Sequence, residues 1–249
     1  MDRLGLEEAI KVRRSRRAYI PRSLDPKMVA DLQQLIDRYT REAGIRIELV
    51  LDNGDAFDGL TKSYGMFTGV RHYLGLIADK GDAAADERLG YYGELLVLNA
   101  VAMGLGTCWV GGSFNRASCP FVLSGNERIE CTIAVGYTEL SNSTKEKLIY
   151  RIVRRKTKSI EEMCEVEGTD KAPDWFMSGM QAVQMAPSAA NQQAVRFLYK
   201  EGQVSAYIED PDKGYNAMDL GIAKCHFEIG AGGGTWEWGN HGSFKPHGE

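Results

Sequence analysis

The sequence predicts an α+β fold made of two related helix–strand halves, residues 1–150 and 151–249, and three observations point to it. Amphipathic helical runs lead directly into runs with the alternation of a strand. The order of these units recurs along the chain. Neither half alone has the length for a comfortable core, because the fraction of surface a chain buries falls as it shortens.

Gly5 to Arg13 reads as a first helix, and Pro26 occupies the first turn of a second, in which Leu32, Leu35, Ile36 and Tyr39 share a face. That helix stops near Gly44. Ile45, Ile47, Leu49 and Leu51 then alternate with Arg46, Glu48, Val50 and Asp52, the period of a strand, before the turn Asp52, Asn53, Gly54. Tyr73 to Ala78 is a second strand. Arg88 to Met103 is a helix with apolar residues on most of its surface, hence central and nearly buried, and Gly104 and Gly106 end it. Short strands follow at Thr107 to Val110 and Glu130 to Val135. A charged run from Lys145 to Lys158 separates the halves.

The second half echoes the first at two offsets. At an offset of 148, Ala30 to Gly54 aligns without gaps with Ser178 to Gly202, Gln33 meeting Gln181 and the strand falling on Ala194 to Tyr199. At an offset of 128, Gly93, Gly104, Gly106 and Thr107 meet Gly221, Gly232, Gly234 and Thr235, so GLGTCW is echoed by GGGTW. Both matches occur in the same order, as an internal duplication predicts; identity is low, and chance similarity between two helix–strand units is the alternative.

A hydrophobic content of 43% permits a globular enzyme, and a net charge of −4 argues against a general nucleic-acid or membrane-surface binder, which carries an overall basic field. Any anion site must be a local cluster. Cys108, Cys119, Cys131, Cys164 and Cys225 lie far apart with no C-x-x-C pair, and the opening MDRLGLEEAI lacks an apolar signal core. A reducing cytoplasm is expected, without disulfides or a metal site. No stretch approaches the ~18 uninterrupted apolar residues of a membrane span.

Three segments carry chemistry. VRRSRRAY, Val12 to Tyr19, surrounds Ser15 with Arg13, Arg14, Arg16 and Arg17. Arginines and a hydroxyl at a helix end can hold a phosphate or a polyhydroxyl chain through charge-assisted, bidentate hydrogen bonds; a solvated basic turn is the alternative. MAPSAANQQAVRF, Met185 to Phe197, breaks a helix at Pro187 and Ser188 and offers the amides of Asn191 and Gln193. An amide donates and accepts, which suits the edge of a planar heterocycle; a helix stop with an Asx turn explains the same residues. GLGTCWVGG, Gly104 to Gly112, lets backbone approach a flat ligand closely, although a helix C-cap with a tight turn has the same pattern. Its glycine spacing is neither a dinucleotide fingerprint nor a P-loop.

Together these segments resemble the FMN-binding nitroreductase family, in which a basic R-x-S-x-R/K-type motif, a PSxxNxQP loop and a GLGTC-type segment frame the flavin. The resemblance covers most of the chain. It implies pseudo-symmetric halves sharing a mixed, largely antiparallel sheet flanked by helices. It further implies that Arg13, Arg14, Ser15 and Arg17 serve the ribityl phosphate and the pyrimidine edge. Pro187, Ser188, Ala189, Asn191 and Gln193 match the loop that closes over the isoalloxazine, and the backbone of Trp109, Val110, Gly111 and Gly112 matches the segment opposite N5. Arg154, Arg155, Lys156 and Lys158 correspond to the basic residues that grip the phosphate after the family's last strand. The implied activity is that of an oxidoreductase taking hydride from NADH or NADPH and passing it to a flat, electron-poor small molecule, a nitroaromatic or a quinone. No side chain need act as a nucleophile, since the chemistry belongs to FMN. No nucleic-acid or membrane partner is expected.

This sequence also departs from the family. Family members place PSxxNxQP shortly after the basic motif, where Tyr39 to Ile45 here reads YTREAGI; the loop occurs only in the second half. Family dimers bind FMN between subunits, so one chain with complementary halves is expected to mimic the dimer as a monomer with a single FMN, a homodimer being the alternative. Ala194 replaces the family proline, Trp109 stands where proline is common, and Gly111 replaces an acidic residue. These changes keep open an FMN-binding protein without nitroreductase turnover or with another flavin reaction, and also a non-flavin interaction domain. Cys108 has no histidine near it in sequence and reads as a packing residue. His226 reads as a satisfied core histidine, Trp236 and Trp238 as packing residues behind the counterpart of the Trp109 turn, and His241 and His247 as no metal site.

Overall fold

The first two helices form where the sequence places them, in a computed structural model that describes residues 5–58, 66–139, 157–169 and 171–247. α1 spans Leu6–Val12. α2 spans Pro26–Ala43, opened by the Asp25 carboxylate accepting from the Lys27 N–H and by proline at its first position. Gly44 closes it at φ 62°, a left-handed conformation that costs glycine no Cβ clash, and its N–H donates to the Thr40 carbonyl. The chain then enters β1, Arg46–Val50.

The remaining elements are β2 His72–Asp79, α3 Ala85–Ala102, β3 Gly106–Val110, β4 Glu127–Gly136, β5 Cys164–Glu167, α4 Asp174–Gln184, β6 Arg196–Lys200, β7 Gln203–Tyr207, α5 Asn216–Gly230, β8 Gly234–Trp236 and β9 Ser243–Pro246. They divide into two compact units, Met1–Ala85 with Leu96–Arg154 and Asp86–Leu95 with Arg155–Glu249. α3 is therefore one helix that supplies both units.

In the first unit an antiparallel sheet runs in the order β1-β2-β4-β3. Tyr73, Ile77, Cys108, Val110 and Ala134 pack with Val50, Phe57 and Phe67 in one core cluster. Leu24, Leu32, Ala100, Leu105 and Val135 form a second, which draws α2 and the end of α3 onto the strands. In the second unit the order is β5-β6-β7-β9-β8, with β5 parallel to β6 and every other pair antiparallel. Its core is aromatic: Phe197 and Phe227 stack with ring centroids 5.0 Å apart, and Phe176, Trp236 and Phe244 surround them.

Within the second unit α5 meets the first half of α3 with no room for side chains between. A Cβ on Gly221 would lie 1.9 Å from the Glu87 carbonyl oxygen, and one on Gly90 would lie 2.1 Å from that of Met218. Buried charges flank this crossing. Lys224 Nζ donates to Glu87 Oε1 at 2.5 Å and to the Glu237 and Gly239 carbonyls, while Glu87 Oε2 accepts from the Gly239 N–H. Every polar atom of that cluster is paired, as buried charge requires.

The predicted α+β class with largely antiparallel strands holds, but the strands lie in two sheets where one shared sheet was expected. The physical reason is that each helix–strand set completes its own ladder. α2-β1-β2-α3-β3-β4 has the sheet order β1-β2-β4-β3, and α4-β6-β7-α5-β8-β9 follows the same path in β6-β7-β9-β8. Gly104 after α3 and Gly232 after α5 have φ of 85° and 86°. No helix among the described residues is long and apolar enough to cross a membrane.

Candidate functional site

The basic run is held along the free edge of β3. Ser15 forms a parallel bridge with Thr107, and the Arg16 N–H donates to the Thr107 carbonyl at 2.8 Å. Beyond it the Thr68 N–H donates to the Arg17 carbonyl, the Tyr19 N–H to the Thr68 carbonyl, and the Ile20 N–H to the Tyr137 carbonyl, each within 2.9 Å. An extended backbone pinned at both ends fixes where side chains 13–17 leave the chain. Arg13, Ser15 and Arg17 are half-buried. Arg14 is exposed, and its guanidinium folds back to the carbonyls of Lys11 and Arg13. Arg16 donates to Thr138 Oγ1 and the Glu139 carbonyl.

The same bridge brings the glycine-flanked segment to the basic run. In β3, Cys108 and Val110 point into the core, so what Val110 offers outward is backbone. Cys108 is buried, with its Sγ against the Trp109 carbonyl, the packing role expected of it. Gly111 and Gly112 turn the chain away, and this turn is tied down by Arg116, whose guanidinium donates to the carbonyls of Gly111, Ile129 and Glu130. Arg116 escaped the sequence reading because its partners are backbone atoms. A Cβ on Gly112 would meet nothing within 4 Å, so the turn is open on that side.

In the second unit, Pro187 to Gln193 forms a strained turn between α4 and β6. Ala190, Asn191 and Gln193 adopt φ of 49°, 52° and 47°. Left-handed backbone costs a non-glycine residue about 1–2 kcal/mol, less for asparagine, so surrounding contacts must impose it. Ser188 Oγ accepts from the Gln193 N–H, the Asn191 N–H donates to the Ser188 carbonyl, and the Ala189 N–H lies 3.0 Å from both carboxylate oxygens of Asp219. Gln193 is buried: its Nε2 donates to the Gln184 carbonyl and its Oε1 accepts from the Lys158 N–H. Lys158 Nζ in turn donates to the Gln193 carbonyl, and burial, followed by the charge of Arg196, lowers its pKa. Gln193 and Lys158 therefore hold the loop in shape. Within the loop the side-chain hydrogen bond to the backbone is made by Ser188, whose Oγ accepts from Gln193, where an Asx turn would have used Asn191.

Arg154, Arg155 and Lys156 lie outside the described residues. His226 is fully buried, with Nδ1 against the Ala182 carbonyl and Nε2 against Glu94. Trp236 packs in the core, whereas Trp238 stands partly exposed, edge-on to Tyr91. The residue missed in the second unit is Asp219. Its signal was present: an acid in the otherwise apolar helical run MDLGIA requires a partner when buried.

A helix–strand path of this kind, with a basic run against the edge of its β3, defines an α+β protein with the nitroreductase fold. A crystal structure from Thermotoga maritima MSB8, described as a "putative nitroreductase", shares that fold with a TM-score of 0.67 at 21% identity, over 98% of this chain and 94% of that one. The chain belongs to the family described as "Putative TM nitroreductase", whose model matches residues 5–231. An FMN-dependent nitroreductase from Clostridium difficile R20291 is similar over 59% of this chain and 96% of its own, at 20% identity and a TM-score of 0.42. A nitroreductase with bound FMN from Bacteroides fragilis NCTC 9343 is similar over 57% of this chain and 94% of its own, at 16% identity and a TM-score of 0.41. No curated protein matches the chain in sequence.

Proposed function

We propose that the chain is an FMN-dependent oxidoreductase that passes hydride from NADH or NADPH to a flat, electron-poor small molecule such as a nitroaromatic or a quinone. The observation that carries this reading is the bridge between Ser15 and Thr107, which sets a phosphate-binding chemistry beside the glycine turn of β3. The donor set fits FMN. Guanidinium forks at Arg13 and Arg17 and the Ser15 hydroxyl suit a phosphate and its ribityl chain, and the open side of Gly112 admits a flat ring against backbone. When bound, FMN supplies the hydride chemistry.

The chain's own residues bind, orient and exclude water. Arg13, Ser15 and Arg17 hold the phosphate end and the backbone at Trp109 to Gly112 lines the ring, while the family resemblance assigns the Asn191 amide to the ring's edge. The shared strand order supports residues 1–150 and 151–249 as copies of one ancestral unit, so that a monomer supplies what two subunits supply in family dimers. Five free cysteines suit a reducing cytoplasm.

The visible spectrum of the freshly purified protein tests this: two flavin bands, one FMN per chain, bleached by NADH or NADPH and restored by a quinone. Arg17→Ala should weaken FMN binding roughly ten- to hundredfold, the loss of charge-assisted hydrogen bonds of about 1.5–3 kcal/mol. A colourless protein that refuses added FMN sinks the proposal. Flavin binding without this turnover is the second reading, favoured by Trp109 and Gly111 where the family carries proline and an acid. A yellow protein bleached by neither nicotinamide would establish it.

A further inference from the structure

Asp219 lies in the first turn of α5, 4% exposed, in a position the flavin chemistry does not use. Among the described residues its carboxylate has one hydrogen-bond donor, the Ala189 N–H, 3.0 Å from each oxygen. Ala189 immediately precedes the two successive left-handed residues, Ala190 and Asn191. The far end of the loop is fixed independently, by the buried amide of Gln193 between Gln184 and Lys158. A strained turn persists only while both of its ends are held. A buried carboxyl persists only while something compensates its burial. Each feature therefore accounts for the other.

We propose that Asp219 is a positioning residue: through the Ala189 N–H it holds the Ala190–Asn191 turn in left-handed backbone and so sets the direction of the Asn191 amide. The ligand consequence rests on the flavin reading above. Without the carboxylate the Ala189 peptide is free to rotate, Ala190 relaxes toward the right-handed or extended regions, and the Asn191 side chain swings away from its direction. Gln193 does not prevent this, since it anchors only the downstream end. The loop's own hydrogen bonds run through Ser188, Ala189 and Gln193, so the direction of the Asn191 side chain follows from the backbone that Asp219 holds.

The test compares Asp219→Ala, which removes the acceptor, with Asp219→Asn, which keeps an oxygen for the Ala189 N–H. Amide hydrogen exchange over residues 188–193 is read on the full chain, alongside FMN titration and the visible spectrum. In Asp219→Ala, exchange at Ala189 and Asn191 should accelerate and the flavin bands should shift in the direction expected for Asn191→Ala, with FMN affinity changed no more than in that variant. Asp219→Asn should restore both exchange and bands. A natively folded Asp219→Ala protein with unchanged exchange, or with unchanged bands in a wild type that does bind FMN, overturns the proposal. A wild type that takes up no FMN while the exchange pattern behaves as stated overturns the flavin reading alone and supports the anchor. Where Asp219→Ala does not fold, Ala190→Gly is added to it: glycine takes left-handed φ without strain, so the double variant should fold and protect Asn191 from exchange, and a double variant that folds no better than Asp219→Ala overturns the role of the held turn.

Discussion

Tyr39 to Ile45 and Pro187 to Gln193 occupy equivalent places in the two halves, each joining a helix to the first antiparallel strand of a sheet, yet they obey different physics. YTREAGI stays helical to Ala43, buries Tyr39, and turns at a single glycine with φ 62°. PSAANQQ leaves the helix early, because Pro187 has no N–H to continue it, and then places three non-glycine residues in left-handed backbone. The first connection is satisfied by its own atoms. The second is held from outside, by Asp219 across 30 residues and by Lys158 across 35. A connection that needs distant residues to keep an unfavourable shape is one in which the shape serves something other than stability.

The largest expected effect concerns the anchor's charge. Burial lifts the Asp219 carboxyl to about 7, the Ala189 N–H pulling the other way. A carboxyl raised on folding contributes stability that is complete below its unfolded value of ~3.9 and is lost as pH climbs through about 7. Against Asp219→Asn, the wild type should therefore lose stability between pH 4 and pH 8 by on the order of a few kcal/mol, measured by urea unfolding. Parallel pH profiles for the two proteins would show that the carboxyl is not buried as described. Next in size, Gln193→Ala should cost about 1–3 kcal/mol, since it strands the Lys158 N–H and the Gln184 carbonyl; a cost near zero would mean the downstream end is held by other contacts. The sharpest comparison is a pair. Gly44→Ala should destabilise by about 1 kcal/mol, whereas Ala190→Gly should stabilise by a similar amount by relieving strain. Two losses of stability would erase the distinction between the connections. Smallest in energy, Asn191→Ala should move the flavin's reduction potential while leaving its retention nearly intact, and an unchanged potential would detach Asn191 from the ring.

Where local rules decide conformation, the sequence was readable. Asp25 and Pro26 opened α2, Gly44 closed it, and the alternation at Ile45 to Leu51 marked β1. β4 proved longer than the expected Glu130 to Val135, at Glu127–Gly136, because Arg128 and Glu130 pair with each other as a charged, strand-compatible couple instead of interrupting the ladder. β5 was missed: CEVE is mostly exposed and owes its strand to parallel pairing with β6, a partner 33 residues ahead that no local pattern reveals. The division of α3 between two units was also invisible, since its apolar surface is nearly uniform and assigns no side to either. At the candidate site, residue types were legible but duties were not. Gln193 and Lys158 bear the right groups for a ligand and spend them on the loop, Arg116 works through backbone atoms that carry no sequence signature, and Asp219, flagged by its place in an apolar helical run, meets a backbone N–H that the sequence does not identify.

The attachment of Ser15 and Arg16 to β3 has a meaning apart from any ligand. β3 ends the sheet, and the residues GTCWV would otherwise present a row of unpaired amides and carbonyls, the kind of border along which one molecule adds to another. The basic run covers that border at Thr107 with its backbone. Replacing Arg16 by proline, which removes the N–H donated to the Thr107 carbonyl, should therefore turn a well-behaved protein into one that self-associates with rising concentration. Under the proposed function, the residues that guard this border are the same ones that would recognise the phosphate, so a change that improves one duty is constrained by the other.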